Sequence, residues 1–514
     1  MSGGTTVGKT MIWTVLAAGM GVAAALVLLV VWVVASRPKP SAAVANAAGD
    51  ATTHVEAMRC WFQIPAERSA HCGAVVEGPA AAGVPVTVRY VVFEGGAGAA
   101  PDPIVYINGG PGSAVGLDEA GVKRWWWLTQ NVAWMQGRDV VVFDQRGVGV
   151  STPTLDCPEL SEAGGRIFIE KLDMGEAARR WRDAAERCHD RLVKSGIRLE
   201  AFNTAATVAD IQAMMEGLGY QSWNLYGVSY GTRVALEFLR LDDPRTRSVI
   251  LDSVYPPDAR AYAEAGPNAR GALDLMVRRC TADPQCSAGN PRLGEQLQIA
   301  LQHAGAEGYQ VSVALPGAAP ATASIDQGKL LESLFYGFYR WDTIRKMPAV
   351  VSALGNGDAE ALAPFAGEAY ATAASLDSDY GDFLSVECHD EYPFEDPAAI
   401  ETAAAGLGAF RDFVMSDLPL IACPVWPVGK ADAATRQPVR SATPVLLLSG
   451  EVDPITPPAW ARHAAETLEH GATFVFPGVG HGVVAEHRCA GRLAAKFLAA
   501  PTEKPYDECL LALG

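Results

Sequence analysis

The sequence holds no Cys-x-x-Cys pair and no His-Glu-x-x-His, so zinc and thioredoxin-like chemistry have little support. Long lysine and arginine runs are missing as well. Acids outnumber bases by 58 to 41, for a formal net charge of −17. Nucleic acid as a partner needs the opposite, a basic surface that neutralises phosphates. An acidic chain better suits a substrate with a cationic group, such as a peptide amino terminus. There is no internal repeat, and the alanine richness belongs to the whole composition. What is present is 514 residues, 49% hydrophobic and 19% charged. That is enough to bury a large core and to fold as more than one unit.

Residues 1–10 are a short polar segment, and residues 11–35 contain no charge at all. A signal-peptide apolar region runs to about 7–15 residues, whereas a bilayer span needs roughly 20. The run therefore reads as a transmembrane anchor, or as a long signal peptide cleaved after Ala35. Lys9 precedes it and Arg37 and Lys39 follow it, so charge gives no orientation. Residues 36–55 read as a flexible Pro/Ala tether. Ten cysteines fall into sequential neighbours along the chain. They predict five local disulfides, Cys60–Cys72, Cys157–Cys188, Cys280–Cys286, Cys388–Cys423 and Cys489–Cys509, in an oxidising compartment. Export, to a membrane-anchored extracytoplasmic position or to secretion, follows from both features.

Past the tether, 84–93 alternates like a half-exposed strand, while 103–109 and 138–147 are short apolar runs ending in glycine. Helical patterns alternate with such runs up to 253 and again from 443. This predicts an α/β fold, a mostly parallel doubly wound sheet covered on both faces. Residues 56–255 and 441–514 form its two parts. Between them, 256–440 is rich in Ala, Gly and Pro and reads as a largely helical cap insertion.

Gly227-Val228-Ser229-Tyr230-Gly231 fits G-x-S-x-G between a strand and a helix. A serine hydroxyl is a poor nucleophile without a base, and the base needs an orienting acid. Asp453 and His481 each stand just beyond a predicted strand, in the order Ser, Asp, His. Asp252 also ends a strand and is the competing acid, but its following residues lead straight into the insertion. Glu451 faces away, and His487 belongs to a final helix over roughly 484–499. An oxyanion hole needs two backbone donors. Tyr230 supplies one, and Gly110, with Gly109 as its neighbour, supplies the other.

Together, "NGGPGS", "FDQRGVGVS", "GVSYG", "SGEVDPITP" and "GVGHG" resemble the prolyl aminopeptidase and tripeptidyl aminopeptidase branch of the α/β-hydrolases. The likeness covers about 60–255 and 440–514, the latter similar to that branch's cysteine-bearing C-terminal region. Asn108 stands where the family loop begins with histidine. The resemblance implies a serine peptidase that releases short N-terminal units, with Ser229, Asp453 and His481 as its triad. Neither a metal nor an organic cofactor is implied.

Peptide substrates with a free N-terminus require carboxylates that hold an ammonium group. Glu387, Asp390 and Glu391, in the densest acidic cluster of the insertion, are the candidates, against the reading of a solvated acidic loop. Trp125, Trp126 and Trp127 line either a substrate pocket or, the favoured use, the packed interior. Asp144 and Arg146 read as a buried pair bracing the loops beneath the site. An ester or lipid hydrolase with the same triad is the alternative function, and a non-catalytic binding scaffold the minor one.

Overall fold

The computed structural model describes residues 53–65, 69–315, 319–374 and 378–512. Residues 11–35, expected as the anchor, lie outside the described residues. Among those described, no helix is long and apolar enough to cross a membrane.

One nine-stranded sheet organises the chain, in the order β1-β2-β3-β5-β4-β6-β7-β10-β11. Its strands are β1 (His54–Met58), β2 (Ala70–Glu77), β3 (Val86–Phe93), β4 (Ala100–Ile107), β5 (Arg138–Phe143), β6 (Trp223–Val228), β7 (Thr246–Asp252), β10 (Val445–Gly450) and β11 (Gly471–Phe476). The first three pair antiparallel, as β3 does with β5, and every pairing from β5 onward is parallel. Neighbouring residues in the parallel strands serve opposite faces. Val105, Val141 and Leu225 pack on one side; Ile104, Val140 and Tyr226 pack on the other. Burial on both faces explains why these strands read as continuous apolar runs.

Strands β1 and β2 add to the strands expected from sequence. The first is a partly exposed edge strand, and the second carries His71 and Gly73 inside it, so neither shows a clean apolar signal. The chain enters β1 at His54, so the tether ends short of residue 55. The expected final helix is broken at His487 into Val483–Glu486 and Arg488–Ala499.

Between β7 and β10 the chain is mostly helical, with one antiparallel pair, β8 (Tyr309–Val313) and β9 (Ala321–Ile325). It packs around an apolar core of its own that includes Leu273, Leu330, Phe338, Met347 and Phe365. The ten cysteines form Cys60–Cys72, Cys157–Cys188, Cys280–Cys286, Cys388–Cys423 and Cys489–Cys509. This pattern fits an oxidising compartment.

Candidate active site

Strand β4 pairs with β5 on one side and β6 on the other, so the strand order reverses there. Such a reversal opens a crevice at the carboxyl ends of the strands. Gly109 and Gly110 follow β4 and Ser229 follows β6, on the two lips of that crevice.

Ser229 has φ 56° and ψ −127°, a conformation that residues with a side chain rarely adopt. Such strain costs about 1–3 kcal/mol and persists only where the surroundings enforce it. Here they do. The Ser229 N–H donates to the Asp252 carbonyl at 2.9 Å, and its own carbonyl accepts the Thr232 N–H at 2.8 Å and the Thr232 hydroxyl at 2.6 Å. Both glycines of the motif are required by crowding. A Cβ at 227 would lie 2.4 Å from the Gly231 carbonyl oxygen, and one at 231 would lie 2.2 Å from that of Ile107.

Tyr230 opens the helix Tyr230–Leu239, so its N–H has no acceptor within the helix and sits at the positive end of the dipole. The glycine loop lies directly against the serine, since a Cβ at Gly109 would come within 2.9 Å of the Ser229 Cβ. Gly110 has φ +111°, a value open to glycine. Asn108 takes a stitching part in this loop. Its Nδ2 donates to the Ser113 carbonyl at 2.9 Å, and its own carbonyl accepts from Gln145 at 3.1 Å.

His481 lies in the loop after β11, and its Nδ1 is 2.9 Å from Asp453 Oδ2. Asp453 is 2% exposed and is held on both oxygens. Its Oδ1 accepts the Ile455 and Thr456 N–H groups, and its Oδ2 accepts the Thr456 hydroxyl at 2.8 Å. With Nδ1–H committed to the carboxylate, the imidazole presents the lone pair of Nε2. That nitrogen is buried and has no hydrogen-bond partner among the described residues, Ser229 included. Serine–histidine contacts are often long before substrate arrives.

Asp252, the rival acid, has another use. Its carboxylate accepts the Val483 N–H at 2.7 Å, the Val484 N–H at 2.9 Å and the Tyr226 hydroxyl at 2.8 Å. The Ser253 hydroxyl accepts the Gly482 N–H at 2.8 Å. The end of β7 thereby clamps the histidine loop, and through the Asp252 carbonyl it clamps Ser229 as well.

Three expectations need correction. Asp144 and Arg146 do not pair with each other. Asp144 accepts the Val115 and Val150 N–H groups, whereas Arg146 forms a buried bidentate pair with Asp210 and reaches Glu77. The chain leaves β5 at Phe143 and turns at 145–148, where the Val148 N–H donates to the Gln145 carbonyl, so the two side chains take separate partners. The acidic cluster is not a solvated loop, because Glu387, Asp390 and Glu391 are all buried. Two of the three are already engaged. Asp390 accepts the Thr204 N–H at 2.8 Å and touches His389, and Glu391 lies between Arg233 and Arg436. Glu387 meets the Tyr262 hydroxyl, and burial with the nearby Glu391 carboxylate pushes its acid well up. The favoured packed interior holds for Trp125 and Trp126, and the departure is Trp127, which is 59% exposed.

Other groups at the site escaped the sequence reading. The Tyr339 ring stands 4.9 Å from that of His481, and Tyr336 stands 5.7 Å from Tyr339. Beyond Tyr336 lie two carboxylates, Glu332 and Asp417, both within its electrostatic reach. Both residues are half-buried. Burial, with Asp417 and Asp326 nearby, raises Glu332 to about 7 against the pull of Lys329. Burial raises Asp417 to about 6 against the Leu418 N–H. Asp417 also lies within the field of Glu387 and Tyr262. Only Thr456 had a local signal, the Asp-Pro-Ile-Thr turn that lets a carboxylate cap its own backbone.

The chain is similar to known proteins. The serine protease Hip1 of Mycobacterium tuberculosis is 22% identical over 385 residues, covering 71% of this chain and 73% of that protein. A tripeptidyl aminopeptidase of Streptomyces lividans is 31% identical over 159 residues, 30% of this chain and 28% of that one. Among solved structures, the proline iminopeptidase of Mycobacterium smegmatis covers 81% of this chain and 96% of its own, at 17% identity and a TM-score of 0.38. The sequence profile of the alpha/beta hydrolase fold matches residues 102–488. A match over more than half of its length means that the chain belongs to the α/β-hydrolase family.

Proposed function

We propose that the protein is a serine peptidase that removes short units from free amino termini through an acyl-enzyme on Ser229. The observation that carries this reading is the imidazole of His481, anchored by Asp453 and offering an unpartnered Nε2, on a loop clamped by the same Asp252 that holds the strained serine elbow. In this mechanism Nε2 takes the Ser229 proton as Oγ attacks the scissile carbonyl. The carbonyl oxygen becomes an oxyanion facing the Gly110 and Tyr230 N–H groups. The imidazolium, stabilised by Asp453, protonates the leaving amine. Water then repeats the sequence and releases the acyl unit as an acid. Relatives named as a serine protease and a tripeptidyl aminopeptidase support a peptide over an ester.

Recognition of the amino terminus falls to Glu332, Asp417 and Glu387, carboxylates within electrostatic reach of Tyr336 or Tyr262. Asp390 and Glu391, with cationic and N–H partners of their own, drop out. A core of 56–255 and 441–514, with 256–440 inserted, suits a division of labour in which the sheet carries the nucleophile and the insertion reads the substrate. Export, with 11–35 as anchor or signal, agrees with the five disulfides.

Blocking the amino terminus tests the reading. Acetylated peptides should lose at least about tenfold in kcat/KM against free ones, while an esterase would treat both alike. A second expectation follows from the acids near 6 and 7. An ammonium group binds the ionised carboxylates more tightly, so KM should fall as pH rises from about 5 to 7. The limiting slope for one required ionisation is about tenfold per unit. Above about 8 the substrate amine loses its own proton and KM should climb again. Steady-state KM from pH 5 to 9 checks this, with the acetylated peptide showing no such valley.

A further inference from the structure

A general base works only if its nitrogen is aimed at the proton it takes, and a misplacement of about 1 Å can cost about a hundredfold in rate. The polar contacts of the His481 ring among the described residues fall at one corner. Its Nδ1 lies 2.9 Å from Asp453 Oδ2 and 3.2 Å from Thr456 Oγ1, while Nε2 has no partner. These bonds fix that corner and leave the tilt of the ring to whatever packs on its face. The main chain adds little stiffness, since Gly478, Gly480 and Gly482 surround the histidine, the first and last at φ +67° and +77°.

The insertion supplies the support. Its short turn Gly337–Tyr339 lies against the histidine loop. The Phe338 carbonyl accepts the His481 N–H at 3.0 Å, and a Cβ at Gly480 would lie 1.9 Å from that carbonyl oxygen. Only glycine admits so close an approach. Next in the chain, the Tyr339 ring packs 4.9 Å from the imidazole with the two planes 58° apart. Trp341 extends the contact, its N–H donating to Glu486 Oε2 at 2.8 Å. Where the loop begins, Glu451 Oε2 accepts the Gly478 N–H at 2.9 Å and pairs with Arg279 of the insertion. The turn is itself braced, because the Thr343 hydroxyl lies 2.6 Å from the Gly337 carbonyl and 2.8 Å from that of Arg340. Behind Tyr339 stand Tyr336 at 5.7 Å, then Phe335 at 5.7 Å and Phe413 at 5.3 Å. A row of rings thus runs from the insertion to the imidazole.

We propose that Tyr339 is a positioning residue for His481, its ring holding the imidazole at the tilt that aims Nε2 at the Ser229 hydroxyl. This rests on the reading of His481 as the base that activates Ser229. The Phe338 carbonyl places the main chain of the histidine, Asp453 places one corner of its ring, and Tyr339 places the ring's tilt. The insertion is then a working part of the catalytic apparatus as well as the region that reads the substrate. Tyr339 is 39% exposed, whereas Phe338 beside it is 1% exposed. The packing of the insertion therefore depends on Phe338, and loss of the Tyr339 side chain leaves the fold in place. What the contact uses is the ring, so phenylalanine is a close substitute.

The test measures two rates in wild type, Y339A and Y339F: peptide turnover, and the labelling of Ser229 by diisopropyl fluorophosphate. In labelling, the serine oxygen bonds to phosphorus as fluoride leaves and His481 takes the proton. The probe is too small to need the peptide subsites, so its rate reads the base alone. Y339A should lose about 10- to 100-fold in kcat with KM within about threefold, the scale of a misplacement of about 1 Å. Its labelling rate should fall by a similar factor, and Y339F should return both rates to within about threefold of wild type. Y339A that labels within twofold of the wild-type rate would overturn the proposal, whatever its KM, since the ring would then serve the substrate and not the base. Y339F as slow as Y339A would overturn it as well. If Y339A does not fold, Y339L takes its place with the same expectation. If neither folds while Y339F does, the ring is structural and the proposal fails. Wild-type protein that neither turns over nor labels at Ser229 would refute the hydrolase reading itself, whereas an unaffected Y339A in an active enzyme refutes only the role of Tyr339.

Discussion

Replacing Ser229 by alanine should lower kcat by about a millionfold and leave the protein folded. The magnitude is that of losing the nucleophile in a triad whose members act as a unit. The fold survives because alanine keeps the Cβ that packs near Gly109, and because the elbow is held by main-chain bonds to Asp252 and Thr232. The backbone strain at φ 56° is the same for serine and alanine. The check pairs turnover of a free-N-terminus peptide with a thermal unfolding curve. Undiminished hydrolysis by the variant, with an unchanged melting curve, would remove Ser229 from the mechanism.

The second large effect separates two buried acids that both end strands. Asp453→Asn should cost about ten-thousandfold in kcat, because an amide can hold the imidazole in the wrong tautomer and cannot stabilise the imidazolium. Asp252→Asn should behave differently. Its carboxylate receives two main-chain N–H groups and a tyrosine hydroxyl, and touches the histidine only through the loop it clamps. Its loss should appear mainly as a lower melting temperature, with kcat reduced about tenfold or less. A reversed ranking in side-by-side kinetics and melting would move the catalytic acid from β10 to β7.

Much of this arrangement was legible in the sequence because it rests on local chemistry. The parallel strands announce themselves as short apolar runs, since both of their faces are buried. Ser229 is marked by two glycines that crowding demands, and Asp453 and His481 by their places after strands. The cysteines are readable for the same reason, as each bonds to its neighbour in the chain. Other features are invisible to a local reading. Glu332 is a single acid on the helix Gln327–Tyr336 and Asp417 one just before the helix Leu418–Ala422, brought together only by folding of the insertion. Asp144 and Arg146 are two residues apart, and nothing in their spacing says that the arginine is claimed by Asp210. Asp390 and Glu391 look free in the sequence, and their partners Thr204, Arg233 and Arg436 come from distant segments. Acidic density marks a cluster that folding buries, and the availability of each carboxylate depends on contacts that no local pattern records.

The most direct test of Ser229 as nucleophile is mass spectrometry after treatment with a fluorophosphonate. The expected result is one adduct per chain, mapped by peptide sequencing to Ser229, appearing in step with loss of turnover and absent from S229A. An unmodified Ser229 in a fully inhibited enzyme, or an adduct on another residue with activity gone, would contradict the mechanism.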